Sequence, residues 1–298
     1  VSEFGLTCID GTKWSKDEIL KVLPAYDGVV IRSRFRLDDD FFNASPQLRF
    51  VARSGAGMEN IDEAAAAKYN VTLINAPEGN RDAVAEHALA MLLSLLNRIV
   101  IADAEVRKGI WKRAENRGVE LKAKTVAVIG FCNMGSAFAA RLSGFGVTVL
   151  AYDPFIKIDN SLHPNVKQVS LDYIYHTADV VSLHVPLTSE TLFMVNDDWL
   201  SNFEKDIYII NTARGKVVKT SSLVSALKSG KIIGACLDVS EYESTSFEDF
   251  SLDDLPADWK FLISSEKVIL SPHVAGWTHE SYRKLSEVMA EKVLKLYN

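Results

Sequence analysis

Residues 124–153 read KTVAVIGFCNMGSAFAARLSGFGVTVLAYD, and this stretch decides the fold of the chain. Its first apolar run, Val126–Ile129, is too short for a helix and rich in β-branched residues, which is typical of a buried strand. Met134–Leu142 has helical spacing, and a second apolar run covers Val147–Ala151. The stretch therefore predicts a strand, a helix and a second strand in succession, as in a parallel sheet.

The turn after the first predicted strand contains glycine, and the second strand leads to an acidic residue. Gly130 closes the first strand, and Asp153 follows about twenty residues after the turn. The backbone N–H groups of such a turn, together with the helix N-terminus, can face a pyrophosphate. A carboxylate at the end of the next strand can accept hydrogen bonds from adenosine ribose hydroxyls. The spacing therefore favours a dinucleotide-binding unit.

One position departs from the glycine pattern of such units. The pattern is Gly-x-Gly-x-x-Gly, and this chain has Gly130, Cys132 and Gly135. The middle glycine normally lets the backbone approach the phosphates with no Cβ in the way. Because cysteine is small, we expect weakened rather than abolished cofactor binding. The alternative is an ordinary strand–turn–helix with no ligand.

Composition limits the class of protein. The chain has 298 residues, of which 48% are apolar, so it is long enough for two domains with cores of their own. A net charge of −6 without a basic cluster argues against nucleic acid or an anionic membrane as a partner. No apolar run approaches the roughly 18 residues of a membrane span, and the N-terminus lacks a signal-peptide layout. The three cysteines form no close pair, which fits a reducing cytoplasm and gives no metal-ligand spacing.

Predicted strands and helices alternate through most of the chain. Before the opening stretch, strands are predicted near residues 29–31, 48–52 and 71–74, and further strands follow it. Arg81–Asn97 is the longest helical pattern of the first part, and we interpret it as the connector into a nucleotide domain that begins near Arg98. The predicted fold class is α/β, with doubly wound parallel sheets of the Rossmann or flavodoxin-like type.

Charged residues and histidines follow the predicted strands. Because ligands bind beyond the carboxyl ends of doubly wound strands, these side chains are expected to gather around one active site. They are Asp153, His184, Arg214, Asp238, Glu243 and His273, with Arg53 before the Gly-rich turn Ser54-Gly55-Ala56-Gly57 in the first part of the chain.

A histidine, an arginine and a carboxylate beside a nicotinamide are what oxidation of a 2-hydroxy acid requires. The hydroxyl loses a proton to a base of near-neutral pKa, and histidine suits that task. Arginine can hold the substrate carboxylate bidentately. A carboxylate on the second imidazole nitrogen fixes the tautomer. Each residue also has an ordinary explanation: His273 as a loop residue, Arg214 as a helix-end cation, Glu243 as surface charge.

The chain resembles the D-isomer-specific 2-hydroxyacid dehydrogenases from about Ser15 to its end. The motifs that carry the resemblance arrive in the family's order. They are Arg53-Ser-Gly-Ala-Gly with Asn60-Ile61-Asp62, Asn75-Ala-Pro with Val84-Ala85-Glu86-His87, Gly130 and Gly135 with Asp153, His184-Val-Pro-Leu-Thr, Asn211-Thr-Ala-Arg214-Gly, Gly234-Ala-Cys-Leu-Asp238-Val and Ser271-Pro-His273.

The resemblance implies a role for each matching residue. Arg214 would hold the substrate carboxylate and carbonyl, His273 would be the acid/base, and Glu243 would be its carboxylate partner. The implied cofactor is NAD rather than NADP, because a 2′-phosphate would meet the charge of Asp153. The implied cofactor-binding residues are Ala56, Gly130, Cys132, Asn133, Met134, Gly135, Asp153, His184, Thr212, Ala213, Asp238 and Gly276. The implied substrate-binding residues are Arg32, Arg34, Arg53, Ser54 and Gly55.

The resemblance also implies a domain layout and an assembly. Residues 1–97 with 277–298 would form the substrate domain, and 98–276 the NAD-binding domain, with the active site in the cleft between them and a homodimer as the assembly. Too few residues precede Ser15 for the family's whole first βα unit, and no C-terminal regulatory domain is expected. Ser244 replaces a proline that usually follows the second glutamate of the family, which affects loop rigidity more than chemistry.

The substrate is predicted from two arginines. Arg32 and Arg34 stand where phosphoglycerate-using members place cations for the phosphate, so 3-phosphoglycerate is the preferred substrate. A general D-2-hydroxyacid, glyoxylate or hydroxypyruvate reductase is the alternative. Glu243 argues against a formate dehydrogenase, which pairs its histidine with glutamine. Two readings of other kinds remain: an NAD-sensing, corepressor-like binding module, and a fold that has lost NAD binding through Cys132.

Overall fold

The structure is a computed structural model that describes residues 6–243 and 256–297. It divides into two compact units, Val1–Asn80 with Trp277–Asn298, and Arg81–Gly276. Ser244 lies outside the described residues, so its effect on the loop stays a prediction.

The elements alternate between strands and helices over most of the chain. The strands are β1 (Gly28–Ile31), β2 (Phe50–Arg53), β3 (Thr72–Asn75), β4 (Thr125–Ile129), β5 (Thr148–Tyr152), β6 (Val166–Gln168), β7 (Val180–Leu183), β8 (Ile207–Asn211), β9 (Ile232–Leu237) and β10 (Val268–Leu270). The helices are α1 (Lys16–Val22), α2 (Asp39–Asn43), α3 (Glu63–Lys68), α4 (Pro77–Leu96), α5 (Ile99–Arg107), α6 (Asn133–Arg141), α7 (Leu171–Thr177), α8 (Asp197–Ser201), α9 (Thr220–Ser229), α10 (Ala257–Ser264) and α11 (His279–Leu294).

The first unit is built on a three-stranded parallel sheet in the order β1-β2-β3. One face is covered by α11, whose Leu285, Met289 and Val293 pack against strand residues that include Phe50 and Ile74. The C-terminal helix therefore belongs to the core of the N-terminal part of the chain. The other face packs on a second cluster, which includes Leu37, Phe41, Phe42, Val51 and Ala66.

The second unit is a seven-stranded parallel sheet in the order β10-β9-β8-β7-β4-β5-β6. The chain builds outward from β4 in one direction and then returns to add β7 on the other side. The order of the strands thus reverses between β4 and β7, and a doubly wound sheet opens a binding crevice at such a point. The α/β class with parallel sheets, predicted from the opening stretch, is confirmed.

The central strands of the larger sheet are buried on both faces, and most of their residues are apolar. Val126 and Val128 of β4 point into one core cluster, and Ala127 and Ile129 point into the other. This alternation follows from the two-residue period of a strand. It explains why β4 is apolar from Val126 to Ile129, with neither face left to solvent.

The boundary expected between residues 97 and 98 lies instead between Asn80 and Arg81. Helix α4 is the cause, because its apolar residues Ala85, Ala88 and Leu92 belong to the same cluster as Val126 of the larger sheet. The helix is therefore part of the second unit rather than an independent connector. The second boundary lies between Gly276 and Trp277.

Among the described residues, no single helix has both the length and the apolar composition needed to cross a membrane, although α4 and α5, bent by 63° at their junction, pass that test as a pair.

Two glycines of the larger unit differ in the space around them, which gives a test of the packing. A Cβ on Gly135 would overlap the carbonyl oxygen of Gly130 and come within 3.0 Å of Val128, whereas a Cβ on Gly144 would meet nothing within 4 Å. We expect Gly135→Ala to lower the free energy of unfolding by about 1–3 kcal/mol through overpacking. The control Gly144→Ala should change it by less than about 0.5 kcal/mol. Urea unfolding measures both, and equal effects of the two variants would contradict the predicted close approach of α6 to the turn.

Candidate active site

The turn after β4 needs glycine at two of its three fingerprint positions. Gly130 has a φ of 88°, which disfavours side chains, and a Cβ there would lie 2.7 Å from the His184 carbonyl oxygen. Gly135 is buried against the Gly130 carbonyl. Cys132 has a φ of −85° and is exposed, so the backbone does not require glycine there. Asn133 and Met134 begin the nine-residue helix α6, which follows directly.

Asp153 ties the end of β5 to this turn. Its Oδ2 accepts a hydrogen bond from the Phe131 N–H at 2.8 Å, and its Oδ1 accepts from the N–H groups of Phe155 and Ile156 at 2.9 and 3.1 Å. A carboxylate can accept about four hydrogen bonds, so roughly one acceptor position remains for a ligand hydroxyl. Asp153 therefore also has a structural role that the sequence did not suggest.

His273 and Glu243 form a hydrogen-bonded pair. The Nδ1 of His273 lies 2.7 Å from the Oε2 of Glu243, and both side chains are mostly buried. The other carboxylate oxygen of Glu243 accepts from the backbone N–H of Ser240, which fixes its orientation. A carboxylate oxygen is the acceptor of this bond, so Nδ1 is the ring nitrogen that carries its proton toward Glu243.

The loop that carries His273 is held by Asp238, which is only 1% exposed. The backbone N–H of His273 donates to the Asp238 carbonyl oxygen at 2.7 Å. The carboxylate accepts from the N–H groups of Val274 and Ala275, each at 2.9 Å. Gly276 follows at the end of this loop. Asp238 thus fixes the backbone on both sides of His273.

Arg214 lies on the neighbouring loop after β8. The Asn211 side-chain amide donates to the Arg214 carbonyl oxygen at 3.0 Å, and the guanidinium donates to the Ala213 carbonyl oxygen at 2.7 Å. A Cβ on Gly215 would overlap the backbone of Ser240, so the Arg214 loop and the segment leading to Glu243 are in direct contact. The structure therefore brings the loops of all three predicted catalytic residues together in one unit.

In the first unit, Arg53 is held at the end of β2. Its Nε donates to the Oδ1 of Asn60 at 3.2 Å, and Asn60 in turn donates to the Arg32 carbonyl oxygen at 2.9 Å. Backbone hydrogen bonds fix the turn after Arg53. The Ser54 N–H donates to the Ile31 carbonyl oxygen, and the Ala76 N–H donates to the Gly55 carbonyl oxygen.

The neighbouring Ala56 accepts from the Asn75 side chain at 2.7 Å. This bond uses one of the two acceptor positions of the Ala56 carbonyl oxygen, and a contact of Ala56 with the cofactor stays a prediction.

The two arginines predicted to bind phosphate have different surroundings. The Arg32 guanidinium stacks on the rings of Trp277 and Tyr282, at 4.8 and 5.2 Å from their centroids. Both distances are within the range of a cation–π contact. Arg34 donates to the carbonyl oxygens of Thr12 and Gly11, at 2.5 and 3.4 Å. Arg34 therefore also has a structural role in the N-terminal segment.

His184 has a buried ring. Its Nε2 lies 2.8 Å from the Ser182 hydroxyl, the ring packs on Phe138, and Nδ1 is buried without a partner in the described part of the chain. This burial lowers the pKa of His184 to about 3. The residue stays neutral at physiological pH, so it has no acid/base role, and a contact with the cofactor through another part of the residue stays a prediction.

Sequence reasoning assigned no role to Asn60, His87 or Ser271, which the structure places in these networks. His87 Nε2 lies 2.9 Å from the Ser271 hydroxyl, and that hydroxyl lies 2.6 Å from the Asp238 carboxylate. The available signal was a polar residue in an otherwise apolar pattern, since His87 stands in the buried stripe of α4. Within the described ranges, no group of three or more histidine, cysteine or acidic side chains could hold a metal ion.

Comparison with known proteins identifies the family. The model of the D-isomer specific 2-hydroxyacid dehydrogenase NAD-binding domain matches residues 89–275. The chain belongs to this family. A D-2-hydroxyisocaproate dehydrogenase structure has a TM-score of 0.85 at 28% identity and covers 100% of this chain and 91% of its own. D-lactate dehydrogenase from Aquifex aeolicus, solved with NAD and lactic acid, has a TM-score of 0.80 at 31% identity, covering 97% of this chain and 86% of its own.

Relatives of known name carry two different activities. D-3-phosphoglycerate dehydrogenase of Archaeoglobus fulgidus is 33% identical over 285 residues, which are 96% of this chain and 52% of that protein. Hydroxypyruvate reductase of Thermotoga maritima is 33% identical over 280 residues, which are 94% of this chain and 88% of that protein. The chain thus spans about half the length of the phosphoglycerate dehydrogenases it matches.

NAD is the cofactor of this family domain, and the residues of this chain fit it. The glycine-lined turn leads into the N-terminus of α6, where backbone N–H groups favour a pyrophosphate. Beyond β8, the Thr212 hydroxyl is buried and has no hydrogen-bond partner among the described residues, which suits a polar ligand group. Ala213 beside it is buried. These residues, with Asp153, would hold the cofactor.

The buried His184 predicts acid sensitivity of this dehydrogenase fold. Its pKa is about 3 when folded and near 6.5 otherwise, so the unfolded chain takes up the proton first as the pH falls. The contribution of His184 to the free energy of unfolding is complete above pH 6.5 and falls as the pH falls toward 3. At about pH 4.5 the loss is roughly 3 kcal/mol. His184→Asn should reduce the loss of unfolding free energy between about pH 7 and pH 4.5 by roughly that amount.

Urea unfolding at the two pH values measures this loss. His279→Asn, which replaces an exposed histidine, is the matched control and should leave the loss unchanged. If His184→Asn loses as much unfolding free energy between the two pH values as the wild type does, that result would contradict the predicted burial of a neutral ring.

Proposed function

We propose that this chain catalyses the NAD-dependent interconversion of a D-2-hydroxy acid and its 2-keto acid. The observation that carries the proposal is the His273–Glu243 hydrogen bond of 2.7 Å, on a loop held by Asp238 and next to the Arg214 loop. A histidine with its tautomer fixed by a carboxylate, an arginine and a dinucleotide turn in one fold unit are the groups that this reaction needs.

His273 handles the proton of the reaction. During oxidation, its Nε2 takes the proton of the substrate hydroxyl, and during reduction it returns that proton to the carbonyl oxygen. Glu243 holds Nδ1–H at 2.7 Å and thereby keeps Nε2 in the unprotonated form that oxidation needs. The carboxylate also stabilises the imidazolium that forms after the transfer. Bound NAD would accept the hydride during oxidation, and its reduced form would donate it during reduction.

Arg214 binds the substrate. A guanidinium can hold a carboxylate through two parallel hydrogen bonds, which sets the orientation of the reacting carbon as well as the affinity. Its loop is rigid because Asn211 holds its carbonyl oxygen and Gly215 lies against Ser240. Lysine would keep the charge and lose the planar, two-point contact.

The mechanism predicts a separation between turnover and cofactor binding. His273→Ala should lower kcat by about 10²–10⁴-fold, because the acid/base is removed, while the Kd for NAD stays within about twofold. His176→Ala, which removes an exposed histidine of α7, is the control and should keep wild-type turnover. Stopped assays with NAD and a panel of D-2-hydroxy acids give kcat, and tryptophan fluorescence quenching gives the Kd. Wild-type kcat in His273→Ala would refute the proposal.

The preferred substrate is 3-phosphoglycerate. The support comes from the Arg32 guanidinium, a cation that the rings of Trp277 and Tyr282 hold by cation–π contacts, and from relatives named as phosphoglycerate dehydrogenases. Arg34 supports it less, because the Thr12 carbonyl oxygen takes part of its donor capacity. A hydroxypyruvate or general D-2-hydroxyacid reductase is the second candidate, favoured by relatives and structures of those names.

Arg32 discriminates between these substrates. Arg32→Ala should raise the KM for 3-phosphoglycerate about tenfold or more, since a charge-assisted hydrogen bond contributes about 1.5–3 kcal/mol. The KM for D-lactate, which has no second anion, should change by less than about twofold. Arg36→Ala is the matched control, because Arg36 is an exposed arginine of the same loop. Equal effects of Arg32→Ala on both substrates would favour the general reductase.

Two expectations of the sequence accompany this proposal. The homodimer and the cytoplasmic location stay predictions. An NAD-sensing, corepressor-like module is disfavoured as a function because it has no need of the His273–Glu243 pair.

A further inference from the structure

A polar network lies behind the loop that carries His273. It consists of His87 on α4, Ser271 at the end of β10, and the carboxylate of Asp238 at the end of β9. The distances are 2.9 Å from His87 Nε2 to the Ser271 hydroxyl and 2.6 Å from that hydroxyl to Asp238 Oδ1. We infer that His87 and Ser271 are positioning residues for the acid/base His273, which they reach through Asp238. The inference rests on the proposed function of the site.

The hydrogen bonds of this network can be assigned in one consistent direction. The Ser271 hydroxyl donates to the Asp238 carboxylate. The Ser271 oxygen then accepts, and its donor is the Nε2–H of His87. His87 also lies 3.6 Å from Asp238 Oδ1, so its partial positive edge faces the same carboxylate. The network therefore orients one buried anion.

The buried anion in turn fixes the backbone after His273. Its Oδ1 accepts from the Ser271 hydroxyl and the Val274 N–H, and its Oδ2 accepts from the Ala275 N–H. If the carboxylate rotates, the two backbone bonds are lost together. The Ser271 hydroxyl, which His87 contacts, opposes that rotation by its own bond to Oδ1.

The loop needs such support because His273 is strained. Its φ of 56° lies in the left-handed region, which costs a residue with a side chain about 1–2 kcal/mol. A strained conformation persists only where the surroundings enforce it. Here the Asp238 carbonyl oxygen holds the His273 N–H, and the Asp238 carboxylate holds the next two N–H groups. The position of the imidazole therefore depends on how Asp238 is held.

Four variants test the inference. His87→Leu and Ser271→Ala remove a donor of the network, while His87→Gln and Ser271→Thr keep an N–H or O–H at the same place. We expect the first two to lower kcat at least about tenfold with little change in the NAD Kd, because a displaced catalytic group loses rate rather than cofactor affinity. The conservative pair should recover kcat to within about threefold of wild type. The primary isotope effect with deuterated hydroxy acid should rise only in the first two.

A second readout does not depend on activity. Amide hydrogen exchange of the peptide covering residues 271–276, followed by mass spectrometry, should be faster in His87→Leu and Ser271→Ala and unchanged in the conservative pair. If the wild type turns over no acid of the panel, the proposed function fails and this exchange alone decides whether the network holds the loop. Wild-type exchange in both donor-deleting variants, or equal losses of kcat in all four variants, would overturn the inference.

Discussion

Seven parallel strands point their carboxyl ends to one edge of the sheet, and the chemistry of the second unit depends on that constraint. Parallel strands need crossover helices, so every strand of this sheet is followed by a loop at the same edge. The loops after β4, β8, β9 and β10 carry the glycine turn, Arg214, Glu243 and His273. His273 and Glu243, thirty positions apart in sequence, become neighbours in this way. The reversal of strand order at β4 and β7 adds the room that a dinucleotide needs.

Parallel alignment alone does not place an imidazole to within a fraction of an ångström. That accuracy comes from charge-assisted hydrogen bonds, which are shorter and stronger than those between neutral groups. Two buried or half-buried carboxylates supply them: Asp238 holds the backbone around His273, and Glu243 holds its ring. Glu243 is itself oriented by the backbone N–H of Ser240, and Ser240 lies against Gly215 of the Arg214 loop. His273 and the Arg214 loop are therefore connected through Glu243 and the backbone of Ser240.

The sequence predicted the parallel α/β fold because hydrophobic runs, glycines and strand-end charges repeat with a period set by local geometry. The sequence did not predict the boundary at residue 80. Helix α4 is apolar on the face that the larger sheet buries, but an apolar helix face does not show which sheet it packs against. The sequence also did not predict the roles of Asn60 and His87, because a buried polar side chain is recognised only when its acceptor is known. Likewise the bond from Arg34 to Thr12 joins segments whose proximity no local pattern encodes.

The departure at Cys132 separates two requirements that the dinucleotide fingerprint combines. Gly130 is needed because its φ is positive, and Gly135 is needed because the Gly130 carbonyl occupies the place of a Cβ. The middle position has a negative φ, and Cys132 projects its side chain toward solvent at the start of α6. A glycine at this middle position is therefore required for the approach of the ligand and not for the fold. A small side chain there leaves the turn intact, which is why the fold and the matched NAD-binding domain coexist with this cysteine.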